Sequence, residues 1–336
     1  MKTVLVTGSA GFIGSHVCLR LIAAGMNVIG LDNVNGYYDP ALKEARLDRL
    51  RGSNRFVEAR ISIEDRDAVF KLFEEHKPQR IVHLAAQAGV RHSLDAPQDY
   101  VDANITGFLN MLEAARNFPI EHMVFASTSS VFGLDGAMPL SEHRGGNHPV
   151  SFYAATKKAN EAMAHSYAHL FRIPLTGLRF FTVYGPWGRP DMALFKFTKA
   201  ILAGEPVDLY NHGKMVRDFT YVDDIVEGIL RVTDKPAVPN IDWDAENPDP
   251  ASSTAPYRIF NIGNSNPVEL MDYLEAIEEA VGKKAITNMM PMQPGDVAAT
   301  WADTRDLETI TGFKPATPVR DGVKAFVDWY RSYYAA

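Results

Sequence analysis

The stretch from residue 4 to residue 14, "VLVTGSAGFIG", decides how the rest of the chain is read. A short apolar run ends in glycines at 8, 11 and 14, and a segment of helical period, "IGSHVCLRLIAAG", follows at once. In a strand, turn and helix of this kind, Gly8 permits the tight turn and Gly11 lets the backbone approach a pyrophosphate. Gly14 permits close packing of helix on strand. A second apolar run, "VIGLDN", ends in Asp32, 18 residues after Gly14. A carboxylate there accepts hydrogen bonds from adenosine ribose hydroxyls and repels a 2′-phosphate, so NAD is expected rather than NADP.

Outward from this unit, short apolar runs alternate with longer segments of helical period. "RFVEARI", "RIVHLAA", "HMVFAST" and "PLTGLRFF" read as further strands, and "RDAVFKLFEEH", "TGFLNMLEAARN" and "YAATKKANEAMAHSYAHLF" as helices. With right-handed crossovers the pattern predicts an α/β fold, a Rossmann-type doubly wound parallel sheet. After about residue 183 the alternation breaks into loops rich in Pro, Gly and aromatic residues. Residues 1–183 are therefore expected to form the NAD-binding part. Residues 184–336 are expected to form a smaller α/β substrate-binding part, with some segments returning to the first. The polar, proline-rich stretch 234–256 reads as a surface loop.

Composition narrows the partners. The 336 residues are 46% hydrophobic, enough for a substantial core, and the net charge of −7 leaves no basic stripe for nucleic acid or an anionic membrane. Cys18 is the only cysteine, so neither a disulfide framework nor a cysteine metal site is expected. No run approaches a membrane span, no secretory leader is read at the start, and a cytoplasmic location is expected. His165 and His169 stand four apart but lack the intervening Glu of a zincin, and no metal site is expected.

"FYAATKKANEA" places Tyr153 and Lys157 on one helix face. A nearby ammonium and an oxidised nicotinamide ring both favour a phenolate, which would let Tyr153 act as a general base near neutral pH. Thr128 precedes Tyr153 by 25 residues, within "ASTSS" at a strand end. Such hydroxyls also satisfy backbone groups of a following turn, the plainer reading of the cluster, and Ser127 carries no other assignment.

Taken together, the glycine turn with Asp32, "LAAQAG", the hydroxyl cluster and Tyr153 with Lys157 resemble the extended short-chain dehydrogenase/reductase family of nucleotide-sugar enzymes. "NVNGYYDPALKEARL", "HLAAQAGVRHS", "GFLNMLEAAR", "RFFTVYGPWGRPDMA", "RDFTYVDDIVEGI" and "MQPGDVAATWAD" resemble UDP-glucuronate 4-epimerases along nearly the whole chain. The resemblance implies NAD held by Gly8, Gly11, Phe12, Ile13, Gly14, Asp32, Asn33, Ile63, Leu84, Ala85, Ala86, Gln87 and Asn104, with Tyr153 and Lys157. It implies oxidation at sugar C4, with Tyr153 taking the hydroxyl proton and Thr128 bonded to the same oxygen. Rotation of the 4-keto sugar and hydride return then give UDP-galacturonate. Arg217 matches a diphosphate-binding arginine and Asp296 an acid that takes the uridine ribose, while Arg189 is open between carboxylate and diphosphate. A homodimer through the Tyr153 helix is implied as well.

The 4-keto uronic acid is a β-keto acid, which loses carbon dioxide when the breaking bond aligns with the carbonyl π system. Ser129, Ser130 and Thr182 are expected to clamp the carboxylate out of that alignment. Related dehydratases and decarboxylases carry acids at the positions of Ser129 and Ser130, so the serines favour epimerisation without decarboxylation. The rivals are a UDP-hexose 4-epimerase or a UDP-glucuronate decarboxylase on the same scaffold, and a non-catalytic NAD-binding regulator. The chain departs from the family pattern at Phe132, where Tyr is usual, at His92, where Tyr is frequent, and at Ser62, where an acid usually meets the adenine.

Overall fold

A computed structural model describes residues 2–293 and 295–335; Pro294, within the quoted "MQPGD", lies outside the described residues. The six apolar runs of the first half all form strands: β1 (Thr3–Thr7), β2 (Asn27–Leu31), β3 (Phe56–Ala59), β4 (Arg80–His83), β5 (His122–Thr128) and β6 (Leu175–Phe180). Between them lie α1 (Phe12–Ala23), α2 (Pro40–Arg51), α3 (Arg66–His76), the single turns α4 (His92–Asp95) and α5 (Pro97–Tyr100), α6 (Phe108–Asn117) and α7 (Phe152–Phe171). α2 is the helix that periodicity missed, because it is strongly charged and buries only a narrow stripe.

Every ladder of the main sheet is parallel, in the order β3-β2-β1-β4-β5-β6 followed by a seventh strand, β10 (Tyr257–Ile262). The order reverses between β1 and β4, and in doubly wound sheets ligands bind beyond the carboxyl ends of the strands at that switch point. Alternation within β1 serves two cores. Val4 and Val6 pack with Val17 and Leu21 of α1, and with Ile225 and Ile229 of α9 (Val222–Thr233). Leu5 faces Phe73, Phe108 and Met111 on the other side.

The second half is more regular than its loops suggest. β9 (Val216–Tyr221) pairs with β7 (Thr182–Tyr184), β11 (Pro267–Glu269) and β13 (Ala299–Thr300). β8 (Pro206–Leu209) pairs with β12 (Ile286–Met289). A third core joins α8 (Ala193–Ala203), α10 (Leu270–Val281) and α12 (Val319–Tyr334), while α11 (Arg305–Thr311) packs Leu307 into the first. Residues 234–256 hold no helix or strand, in keeping with the loop expected there. No described helix is long and apolar enough to cross a membrane.

Candidate active site

A cavity of about 1930 Å³ opens at the carboxyl edge of the sheet and runs to the loops of the second half. Common small-molecule pockets span about 300–1000 Å³, so this one has room for two large ligands. Its floor is the glycine turn. Gly8 takes a left-handed φ of +74°, and a Cβ on Gly14 would lie 2.0 Å from the Gly8 carbonyl oxygen. α1 begins at Phe12 with Gly11 as its N-cap, no capping side chain and no acid in the first turn. The first amides of α1 therefore face the cavity without intrahelical partners. Asp32 braces the turn, accepting from Ala10 N at 3.0 Å and Val34 N at 2.8 Å.

Gly8, Gly11, Phe12, Ile13, Gly14, Asp32, Asn33, Ile63 and the run Leu84, Ala85, Ala86, Gln87 all line the cavity. Asn104 does not, contrary to its expected place. It is buried in a π-helical turn, donates to Gln87 O and Thr156 Oγ1 at 3.1 Å each, and accepts from Gln87 N at 2.9 Å. It shapes the Gln87 backbone from behind. Thr7 Oγ1 does similar work, accepting from Leu84 N and Ala85 N while bonded to His83 Nδ1. Burial, reinforced by the Lys157 charge, pulls His83 down to about 3, so this imidazole is neutral.

The four hydroxyls at the end of β5 divide. Ser127 Oγ donates to Glu161 Oε1 at 2.7 Å, and that buried carboxylate is gripped by Arg179 at 2.8 and 2.9 Å. Thr128 Oγ1 accepts from Ser130 N at 3.2 Å and caps a 3₁₀ turn, Ser129–Phe132, so the turn-satisfying reading holds in part. Ser129 and Ser130 are half-buried and line the cavity with Thr128, Thr182, Tyr153 and Lys157. Ser151 caps α7 through Ala154 N at 3.1 Å and sets Tyr153 and Lys157 in its first turns.

Burial raises the Tyr153 phenol above its ordinary value; Arg189 and a hydrogen bond from Thr128 pull the other way. Arg189 is thus one cation whose charge favours the Tyr153 phenolate. Burial lowers the Lys157 ammonium to about 8, opposed by Glu161 one turn on. No hydrogen bond to Lys157 Nζ forms among the described residues.

At the far end, Arg189, Arg217 and Asp296 line the same cavity. Arg189 is gripped by Asp191, with Nε at 3.0 Å and Nη2 at 2.5 Å, and Tyr37 Oη lies 3.4 Å from the same carboxylate. Arg217 is held by carbonyls alone, those of Val216, Val297 and Ala298 at 2.7–3.2 Å. Among the described residues no anion is bonded to it. Asp296 pairs with Arg91 at 3.4 Å, and that guanidinium lies 4.7 Å from the centre of the Tyr210 ring. Arg91, Tyr210, Asp191 and Tyr37 also line the cavity; no motif marks them as site residues, and only the fold brings them together.

The model of the NAD dependent epimerase/dehydratase family matches residues 4–263. The chain belongs to this family. It is similar to Protein CapI of Staphylococcus aureus, 54% identical over 98% of this chain and 99% of that protein. It is also similar to a probable UDP-glucuronate 4-epimerase of Rhizobium meliloti (strain 1021), 51% identical over 98% and 97% respectively. A crystal structure of UDP-glucuronic acid 4-epimerase from Bacillus cereus in complex with UDP-glucuronic acid and NAD superimposes with a TM-score of 0.87 at 32% identity, covering 99% of this chain and 100% of that one.

Within the NAD dependent epimerase/dehydratase family, the three departures noted in this chain have local accounts. Phe132 is buried with the Arg179 guanidinium 4.6 Å from its ring centre, a contact that a phenyl ring supports unaided. His92 Nε2 lies 3.0 Å from Asp99 Oδ2, and its ring packs against Tyr37. Ser62 donates to Glu64 and accepts from Asn33 Nδ2 at 3.1 Å, so an acid stands two residues on, at the cavity wall beside Ile63.

Proposed function

We propose that this protein interconverts UDP-glucuronate and UDP-galacturonate with NAD as its resident cofactor, without decarboxylation. The observation carrying this reading is the gathering of Tyr153, Thr128, Ser129, Ser130 and Thr182 in one cavity with a dinucleotide turn and no carboxylate at 129 or 130. The relatives named above support it. The residues present fit NAD: the turn has no room for a side chain at Gly14, and the open amides of Phe12 and Ile13 suit a pyrophosphate. Asp32 retains lone pairs for ribose hydroxyls beyond its two backbone bonds. NAD, when bound, supplies a hydride acceptor and donor.

Tyr153 takes the proton of the sugar 4-hydroxyl, Thr128 orients that oxygen, and Lys157, one turn along the same helix, contacts the cofactor. Ser129, Ser130 and Thr182 fix the carboxylate so that its C–C bond stays out of line with the neighbouring carbonyl. Arg217, with no bonded counter-charge, suits the diphosphate, and Asp296 suits the uridine ribose. Arg189, already matched by Asp191 and electrostatically felt by Tyr153, suits the sugar end of the cavity. The change from cofactor-binding to sugar-binding part falls near residue 183, and the protein acts in the cytoplasm. Incubation with UDP-glucuronate followed by NMR tests the reading: UDP-galacturonate supports it, and a UDP-pentose with carbon dioxide as the main product overturns it.

Changing Ser129 and Ser130 together to Ala is expected to release a UDP-pentose and carbon dioxide as side products; an unaltered product spectrum would return both serines to a structural role. Because burial places the Lys157 ammonium near 8, its charge is lost just above neutrality. NAD affinity measured by calorimetry is accordingly expected to fall between about pH 7 and 9, a range that brackets this titration. Constant affinity across that interval would detach Lys157 from the cofactor.

The protein is a homodimer joined through α6 and α7. Leu109 is 40% exposed, Leu170 64% and Phe171 36%, an apolar edge on these two helices. Light scattering is expected to give a dimer that Leu170→Glu dissociates, and a monomeric wild type would rule the interface out.

A further inference from the structure

Arg46, on α2, is fully buried, yet no carboxylate among the described residues pairs with it. A buried cation without a counter-ion is costly unless its donors are satisfied. Those of Arg46 are satisfied by backbone carbonyls and one tyrosine hydroxyl. Nε and Nη2 donate to Trp187 O at 3.1 and 2.7 Å, and Nη2 also reaches Gly188 O at 3.2 Å. Nη1 donates to Ala10 O at 3.1 Å and Tyr38 Oη at 2.6 Å.

These carbonyls belong to two loops with different work. Ala10 lies inside the glycine turn, where its own N–H meets Asp32. Trp187 and Gly188 directly precede Arg189, at the sugar end of the cavity. A second observation marks the same spot: Trp187 has a φ of +63°, a left-handed conformation that a bulky side chain adopts only where its surroundings enforce it. The surroundings are specific. Arg46 takes its carbonyl twice, Arg49 lies 4.7 Å from its ring centre, and the rings of Trp329 and Tyr333 pack against it at 5.3 and 5.1 Å.

We infer that Arg46 is a positioning residue that couples the two halves of the cavity. Its planar fork fixes the carbonyl side of the glycine turn and the backbone that aims Arg189, so a ligand in either half stabilises the arrangement the other half needs. The inference rests on the reading that the turn serves NAD and Arg189 the sugar. Coupling of this kind is reciprocal: a nucleotide sugar that tightens NAD is tightened by NAD to the same degree. Lysine cannot replace the fork, since a point ammonium with three donors does not span carbonyls from two loops.

The test is a binding cycle in a Tyr153→Phe background, in which turnover is slowed by about 10²–10⁴ and both ligands are expected to bind. NAD affinity is measured by calorimetry with and without saturating UDP-glucuronate. With Arg46 intact, UDP-glucuronate is expected to tighten NAD at least about fivefold. In Arg46→Lys and Arg46→Met the factor is expected to fall close to one, with NAD alone still bound. A factor unchanged in both variants, or absent with Arg46 intact, overturns the inference, and a drop in both affinities at constant factor reduces Arg46 to a structural role. Should Arg46→Met fail to fold, Arg46→Lys decides. Turnover of the wild type is assayed separately, so failure to epimerise UDP-glucuronate defeats the functional reading and leaves the binding cycle interpretable.

Discussion

Tyr153→Phe is expected to lower kcat by about 10²–10⁴, the usual contribution of a positioned general base, while NAD stays bound. The phenol is the only change, and the ring keeps its edge-on packing against Tyr100 at 6.0 Å. In the protein alone burial holds the phenol above its ordinary value, so the phenolate depends on the positive charges assembled around it. Arg189 is one of them. Rapid-quench assays of turnover, with bound cofactor followed by absorbance, check the prediction, and undiminished turnover removes Tyr153 from the chemistry.

The second large effect is on stability. Glu161→Ala strands the fully buried Arg179 guanidinium and removes the acceptor of Ser127, and breaking a buried pair from one side typically costs about 3–5 kcal/mol. Burial alone would raise the Glu161 carboxyl, but Arg179, Lys158 and Ser127 outweigh it and hold the group below its ordinary value. The sign follows from that depression. The pair's contribution is complete above the unfolded-state glutamate range, about 4.3, and is lost as pH falls through the lower folded value. Chemical denaturation of wild type and Glu161→Gln across that range is expected to show a gap that closes toward acid. A gap independent of pH would mean the carboxylate charge contributes nothing.

Most of the fold is legible because burial on two faces leaves continuous apolar strands, and the glycine turn leaves a dated spacing to Asp32. The two ends of β5 were equally readable: apolar inside, hydroxyl at the cavity. What escaped has a common cause in charge set on apolar faces. α2 is hard to read because its sequence is largely charged, yet Leu42, Arg46 and Leu50 recur at steps of four on its buried stripe. Asn104 is a different case: a polar residue near a cavity loop need not face the cavity when a backbone segment needs bracing. Ion pairs such as Asp191 with Arg189 are close in sequence but gain meaning only from what lies across the cavity.

The seventh strand has a consequence for how the chain is made. Translation completes every residue assigned to the cofactor by residue 157, and β6 by residue 180, but the strand that covers β6 arrives only at 257–262. Until then the nascent chain presents Leu175 and Leu178 on an open, parallel edge, the kind of surface that invites pairing with another chain. The second half of the chain must therefore be made, and its returning strand docked beside β6, before that edge is closed. Order of synthesis and order of completion are uncoupled here, and truncations that look generous on the sequence leave a sheet one strand short.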